Sequence, residues 1–504
     1  MGKAVPILGS LSVLLALLLS CMNLQHGNLN QDEGWYLYAA KMVSEGHKPY
    51  ADFAFTQGPV LPQVYAALFP IVGKFGVAGG RAITTVFGLL AAGFAGLLAF
   101  RTSEKRWVAL IAVVLLIAGN VYQSYFTTVV KTYGLTAFFL MAGFYLLTLR
   151  NKAALVVGGA LLALAAGTRL SAGIVLPITG VWLIFQTERK LDWLWFGIGG
   201  GVMLLAVYAP PFFQSSEQAH FGLLGYHAGR DPGGLGALLT LKVGFISRFV
   251  QAYFIFTLLT LAALIFRPLE KQRNPTAALL WCCGIGISLV HGIAAFPYDD
   301  YQAIAYPVLA TAVMLTILPR IGNPWVVPSL SFLLLASIAA AFSSPINQDW
   351  FVRGRDRIWW QFKEQSDLAL LRDAAEIVKQ HSPEGSELLT QDTYLAIEAN
   401  RSVPRGMEMG PFSYYPDMPT EQAEKMHLLN RDLLFQTLET STAPVAAFSG
   451  YGLAIESPAI TEISPAERAS FSSVLESRFD LLQKIPYFGQ AHTELIMLKR
   501  REAE

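Results

Sequence analysis

Two adjacent carboxylates, Asp32 and Glu33, open an aromatic segment that runs through Trp35, Tyr36 and Tyr38 to Gly46-His47-Lys48-Pro49-Tyr50 and Gln57-Gly58-Pro59. A carboxylate set among aromatic rings can take a proton from an attacking hydroxyl. A pair of carboxylates can also hold a divalent cation such as Mg or Mn, because hard cations favour oxygen ligands. Neighbouring side chains on a helix diverge by about 100°, so Asp32 and Glu33 share one site only in a loop or at a helix start. A role without chemistry competes with these. Aspartate is a preferred N-cap, and a helix beginning near Glu33 would lay Trp35, Tyr36, Ala39, Ala40, Met42 and Val43 along one apolar face.

The elements that must position these residues are membrane helices. Of the 504 residues 53% are hydrophobic and 14% are charged, a balance that soluble domains rarely reach. The net charge of +1, with the basic residues dispersed along the chain, excludes a nucleic-acid-binding surface. Cys21, Cys282 and Cys283 lie in or at the edge of apolar segments and offer neither a disulfide framework nor a zinc spacing.

Apolar runs near 5–22, 81–100, 107–119, 134–149, 153–168, 172–186, 193–209, 246–267, 276–296, 301–318 and 325–343 predict about eleven spans. The connections at Arg101–Arg106, Arg150–Lys152, Glu188–Lys190, Arg267–Arg273 and Arg320 carry most of the interhelical Lys and Arg, and all fall on one side if the spans alternate. That side is cytoplasmic by the positive-inside rule, which puts the amino terminus inside and the loop 23–80 outside. Leu18-Leu19-Ser20-Cys21 resembles a lipoprotein cleavage box, although such runs at the start of multispanning chains are usually retained. The stretch 59–76 is apolar but broken by Pro59, Pro62 and Pro70; it predicts a helix along the outer interface, with Tyr65 and Phe69 suited to that depth.

Past residue 345 the composition becomes mixed and charged, which marks 346–504 as a separate domain outside the membrane. Asp367–His381 and Arg431–Leu438 read as helices, Ser386–Thr390, Val445–Phe448 and Glu494–Leu498 as strands, and Gly450-Tyr451-Gly452 as a turn, so this part is α/β. It holds no phosphate-loop or nucleophile motif.

Cations at the outer ends of spans are candidates for holding an anion. Arg169, in Gly167-Thr168-Arg169-Leu170-Ser171, stands between two apolar runs without an adjacent acid, where a charge is costly unless paired or functional. Arg81 and Lys131 occupy similar positions. The outer loop 210–245 carries His220, Tyr226, His227, Arg230 and Asp231 among glycines, and His220 and His227 lie two helical turns apart. Pro297-Tyr298-Asp299-Asp300-Tyr301-Gln302 is a second acidic, aromatic outer turn, suited to orienting a substrate or supporting a cation. Each of these also has a plain reading as a solvated turn or a snorkelling side chain. His291, inside an apolar span, reads as a buried hydrogen-bonded histidine.

An amino-terminal span is followed by Asp32-Glu33 on an aromatic segment, Gly46-His47-Lys48-Pro49-Tyr50, Gln57-Gly58-Pro59 and Gly79-Gly80-Arg81. This order resembles the GT-C glycosyltransferases, in particular the branch with bacterial aminoarabinose transferases and protein O-mannosyltransferases. The resemblance covers roughly 1–345. It implies a polytopic α-helical membrane protein with a GT-C-like catalytic domain over 1–345 and an extracytoplasmic α/β domain over 346–504. It also implies a multi-pass location in the cell membrane and transfer of a sugar from a polyprenyl-phosphate carrier to a lipid, glycan or protein acceptor. Asp32 then acts at the catalytic centre, assisted by Glu33 or with Glu33 holding a cation. Arg169, Arg81, Tyr50, Gln57, His227, Asp299, Asp300 and Tyr301 are the expected substrate contacts. The chain departs from the pattern at Gln57-Gly58, where many aminoarabinose-transferase-like proteins carry Glu-Lys, so one potential phosphate-binding lysine is missing. A flippase for lipid-linked sugars and an inactive relative that binds through its external domain are the alternatives.

Overall fold

Long apolar stretches must satisfy their backbone internally, and here nearly all do so as helices. A computed structural model describes residues 3–185, 191–231, 233–265, 274–343, 364–450, 453 and 463–501. Among the described residues six helices are long and apolar enough to cross a membrane: Ala4–His26, Phe69–Thr102, Asp192–Gln214, Leu235–Ala252, Pro275–Ile293 and Asn323–Ala341. Shorter apolar helices are Arg106–Ala118, Thr132–Leu147, Lys152–Thr168, Leu170–Ile184, Phe254–Ile265 and Tyr306–Arg320. The expected connections Glu188–Lys190 and Arg267–Arg273, the turn residues Tyr451-Gly452 and the boundary at 345–346 lie outside the described residues.

Two expected segments, one span and one interfacial helix, take another form. The described part of the run 246–267 falls in two helices, Leu235–Ala252 and Phe254–Ile265, so the loop expected over 210–245 ends at Gly234. The break at Tyr253 is supplied with partners: Asn120 donates from Nδ2 to the Ala252 carbonyl at 2.8 Å. Tyr253 donates to Gln123 Oε1 at 2.9 Å and stacks on Tyr306 with centroids 3.9 Å apart. The proline-broken stretch 59–76 is likewise divided, into helix Val60–Ala67 and the start of Phe69–Thr102. Gly79-Gly80-Arg81 lie inside that second helix, and the irregularity falls at Gly76, with φ 61° and ψ −144°. Glu398 accepts from Val77 N at 2.8 Å there, and a Cβ on residue 76 would collide with the Glu398 carboxylate. Gly76 is therefore a break between two helical segments, and Glu398 caps the first amide after it.

The chain divides into two compact units, one of Met1–Leu24, Thr84–Ala209 and Pro232–Gly354, the other of Gln25–Ile83, Pro210–Asp231 and Arg355–Glu504. A single cut near 345 does not describe this division, because the loops 25–83 and 210–231 group with the carboxy-terminal residues. The first unit is helical. Its helices Lys152–Thr168 and Asp192–Gln214 approach so closely that a Cβ on Gly199 would strike the Val156 carbonyl, a small-residue crossing of the kind membrane helices use.

The second unit contains a four-stranded sheet of β1 (Leu388–Thr390), β2 (Val445–Phe448), β3 (Phe479–Phe488) and β4 (Thr493–Arg500), in the order β1-β2-β4-β3. β1 and β2 are parallel and the other pairs antiparallel. Helix Asp367–His381 has the bounds expected of it, and Val445–Phe448 is a strand as read. β3 escaped notice because its burial touches only Phe479, Ile485 and Phe488 and it contains Pro486, so no alternation shows. Helix Gln31–Ser44 belongs to this unit and lies against helix Thr393–Ala399, where a Cβ on Gly34 would meet Thr393 Oγ1 and Tyr394 N at 2.5 Å.

Glu408 sits inside the second unit at 6% exposure and accepts from Gly406 N at 2.8 Å. Burial pushes its carboxyl up to about 7. The folded unit thus holds a proton that the unfolded chain releases near the ordinary glutamate value. This stabilisation is complete below about pH 4.5 and is lost as pH rises through about 7. The full difference amounts to about 3 kcal/mol. Glu408→Gln should flatten the fall in melting temperature between pH 5 and 8, raising stability at pH 8 and leaving pH 5 nearly unchanged. A variant that melts with the native pH profile contradicts the assignment.

Candidate active site

The start of helix Gln31–Ser44 is built as a reciprocal cap. Asn30 is extended, at φ −107° and ψ 134°; its side chain accepts from the backbone of Asp32 and Glu33, and Glu33 Oε2 returns to Asn30 N at 3.0 Å. The N-cap is therefore Asn30, not Asp32, and the helix begins two residues earlier than the Asp32 cap would require. Asn30 and Glu33 have the spacing of a capping box, which places Asp32 and Glu33 in the first turn, where negative charge complements the helix dipole.

The two carboxylates diverge as helix geometry demands. Glu33 turns inward to Arg81, with Arg81 Nε donating to Oε1 at 2.7 Å and Nη2 to Oε2 at 2.6 Å, and both side chains are fully buried. Arg81 also donates to the carbonyls of Gly27 at 3.1 Å and Asn28 at 2.9 Å. Glu33 and Arg81, expected to assist catalysis and to bind substrate, instead form a buried structural pair. A cation held between Asp32 and Glu33 does not fit this geometry, because both Glu33 oxygens are engaged. Among the described residues no group of three or more His, Cys, Asp or Glu is arranged to hold a metal ion.

Asp32 stays outside that pair. It is half-buried, and Trp35 donates from Nε1 to its Oδ1 at 3.2 Å. Trp35 stacks on Tyr36 at 3.9 Å and meets Phe55 and Phe412 edge-on, so the side chain that orients Asp32 is itself fixed by aromatic packing.

Tyr50, Gln57 and His227 serve the neighbouring loop. Tyr50 is buried with φ 70°, and its hydroxyl donates to the Gln57 carbonyl. His227 Nε2 meets the Thr56 carbonyl at 2.9 Å, while His220 is exposed. These contacts pin residues 50–57 to 220–227 within the second unit, and the two histidines do not form a ligand pair.

A second cluster lies in the first unit. Arg169, the C-cap of helix Lys152–Thr168, is 8% exposed, and its guanidinium lies over the rings of Tyr301 at 4.2 Å and Tyr133 at 4.9 Å. Its Nη1 donates to Thr132 Oγ1 at 3.1 Å. Lys131 precedes helix Thr132–Leu147 and pairs with Asp300 Oδ2 at 2.5 Å. Burial raises the Asp300 carboxyl, but Lys131 and then Arg169 more than reverse this and hold it below the ordinary aspartate value. His291, 2% exposed, meets Ser171 Oγ at 2.8 Å and packs its ring 5.3 Å from that of Tyr301.

Arg169, Asp300 and Tyr301 are thus brought together from two separate sequence segments, and Lys131 joins them from a third. The side chain of Asp299 lies outside the described residues. Sequence reading missed Thr132 and Tyr133; the signal was present as Lys131-Thr132-Tyr133, a cation, a hydroxyl and an aromatic ring at the head of an apolar helix.

No family model and no curated protein matches the sequence. Solved structures do match. ArnT from Cupriavidus metallidurans bound to undecaprenyl phosphate superposes with a TM-score of 0.63 at 14% identity, over 97% of this chain and 97% of that one. The apo form of the same protein gives 0.64. The chain has the GT-C fold. An oligosaccharyltransferase from Archaeoglobus fulgidus, in complex with Zn and sulfate, superposes with a TM-score of 0.53 at 14% identity, over 89% of this chain and 68% of that one. The likeness to ArnT extends through the carboxy-terminal residues, so the GT-C fold here includes the sheet and the helices around it.

Removing Arg81 leaves a buried carboxylate without its partner, which costs about 3–5 kcal/mol. Arg81→Met should lower the melting temperature of the detergent-solubilised protein by many degrees. Adding Glu33→Gln, which removes the stranded charge, should recover more than half of that loss. A change below about 2 °C for Arg81→Met contradicts the structural role of the pair.

Proposed function

We propose that the protein is an integral membrane glycosyltransferase that moves a sugar from a polyprenyl-phosphate carrier to a lipid, glycan or protein acceptor at the outer face of the cell membrane. The observation that carries this is Asp32 within a GT-C fold that matches ArnT over 97% of both chains. It is a half-buried carboxylate in the first turn of the helix that follows the amino-terminal span, oriented by Trp35, while its neighbour Glu33 is withdrawn into the fold. One carboxylate with a fixed direction is what a general base requires.

In the proposed step the acceptor hydroxyl attacks the anomeric carbon of the donor sugar and gives its proton to Asp32. The bond from that carbon to the carrier phosphate oxygen breaks, and the carrier leaves with the electron pair as a phosphate anion. Separately, within the first unit, the cationic cluster of Arg169 and Lys131 is our proposed binding place for a phosphate group. The guanidinium held over Tyr133 and Tyr301 has a fixed plane, which suits bidentate contact with phosphate oxygens better than a mobile lysine would. Asp300, Tyr301 and His291 hold this cluster in shape.

Charge distribution supports an amino terminus in the cytoplasm. The same distribution favours Leu235–Ala252 and Phe254–Ile265 acting as one bent crossing, since that keeps Arg267–Arg273 on the side of the other basic connections.

The test is transfer by purified protein from labelled undecaprenyl-phosphate mannose, glucose, arabinose and aminoarabinose to an envelope lipid and glycan extract. Native protein should turn over at least one donor. Asp32→Asn should reduce kcat about 100-fold or more with little change in donor KM, whereas Arg169→Gln should weaken binding of undecaprenyl phosphate to the purified protein. Equal turnover by native and Asp32→Asn protein removes the proposed base, and carrier movement across vesicles without transfer points to a flippase.

A further inference from the structure

The segment before Asp32 is held by residues more than 300 positions away in the sequence. Leu29 N donates to Asp367 Oδ2 at 2.7 Å. Gln31 N donates to Gln490 Oε1 at 2.9 Å, and Gln31 Nε2 reaches the Gln391 carbonyl at 3.4 Å. His492 Nε2 meets Asn28 Oδ1 at 2.7 Å and lies 3.9 Å from Asp367 Oδ2. All of these residues belong to the second unit.

The capping box accounts for only part of the helix start. Asn30 serves the amides of Asp32 and Glu33, and Glu33 serves that of Asn30. The amide of Gln31, the first helical residue, has no acceptor within its own helix and is an orphan that water meets at most helix starts. Here it is met by a side chain only 7% exposed. Asp367 is 4% exposed and Asn28 is fully buried. Buried polar groups are costly unless each is used, and these converge on four consecutive residues, 28–31, next to Asp32.

The loop that supplies Gln490 and His492 is the tip of the β3–β4 hairpin. Gly489 has φ 69° and His492 φ 51°, and His492 N donates to the Gly489 carbonyl at 3.1 Å to close the turn. A histidine in the left-handed region is strained, and strain of this kind persists only where surrounding contacts enforce it. Its side chain spends that conformation on Asn28, whose carbonyl also receives Arg81. The hairpin tip therefore closes the same frame that the Glu33–Arg81 pair closes from the other side.

We propose that Gln490 and His492 are positioning residues for sugar transfer: the hairpin of the carboxy-terminal sheet fixes the backbone at 28–31 and thereby sets where the Asp32 carboxylate stands. This rests on the reading of Asp32 as the base. Misplacement of a catalytic group by about 1 Å costs on the order of 100-fold in rate, so a contact that never touches substrate can control kcat.

Two readouts test it on the full-length protein. The first needs no substrate. Hydrogen–deuterium exchange of the peptide covering 28–35 should rise about tenfold or more in Gln490→Ala and His492→Ala, as expected for the loss of a buried hydrogen bond. Gln490→Glu, which keeps an acceptor oxygen, should stay near the native rate. The second uses whichever of the four undecaprenyl-phosphate sugars is turned over. Gln490→Ala should lower kcat between about 10- and 100-fold at unchanged donor KM and nearly unchanged melting temperature, with Gln490→Glu recovering most of the rate.

Unchanged exchange and unchanged kcat in both alanine variants would overturn the inference while leaving Asp32 as the base. So would a loss of activity that merely follows a fall in folded protein and is not restored by Gln490→Glu. If Asp32→Asn retains the native rate, the base assignment fails and the positioning role fails with it, even where the exchange data show that the hairpin holds the segment.

Discussion

The buried pair of Glu33 and Arg81 is the constraint on which the candidate site depends. Two charges removed from water each carry a desolvation cost of several kcal/mol, recovered only when geometry is good and the remaining donors are satisfied. Here the guanidinium makes a two-point contact with the carboxylate and spends its other donors on the carbonyls of Gly27 and Asn28. The same carboxylate closes the capping box on Asn30. One interaction thus joins the helix start, the turn before it and the helix that carries Arg81. It also separates the roles of adjacent acids, since Glu33 is consumed by the fold and Asp32 is left on the other side of the first turn.

The cluster around Arg169 works by a different principle. Two cations, Lys131 and Arg169, stand with Asp300 among aromatic rings, and the rings hold the guanidinium through their faces. An arginine held this way keeps its direction. The charge that lipid would otherwise penalise is thereby retained at a span end.

Much of this was legible in the sequence, for identifiable reasons. Apolar length marked most of the helices, and the 3.6-residue period gave Asp367–His381 its bounds. Arg169 stood out because no acid adjoins it. Asp32 stood out through its place after the first span. What the sequence could not convey was long-range pairing. The inward role of Glu33 is decided by Arg81, 48 residues away. The cap at Asn30 was readable in principle, because Asn30 and Glu33 have capping-box spacing, yet the adjacent Asp32 offered an equally good cap by residue type. Gly76 and Tyr253 show the converse, breaks whose character is decided by Glu398 and Asn120 from distant segments. The hairpin contacts of Gln490 and His492 carried no sequence signal at all.

The most direct test of the account is a structure of the Asp32→Asn protein trapped with the undecaprenyl-phosphate sugar it uses and an acceptor analogue. The acceptor hydroxyl should lie within hydrogen-bond reach of the residue 32 side chain, at about 3 Å, with Glu33 still bound to Arg81. An acceptor bound beyond reach of residue 32, or a Glu33 released from Arg81 to contact the sugar, would contradict it.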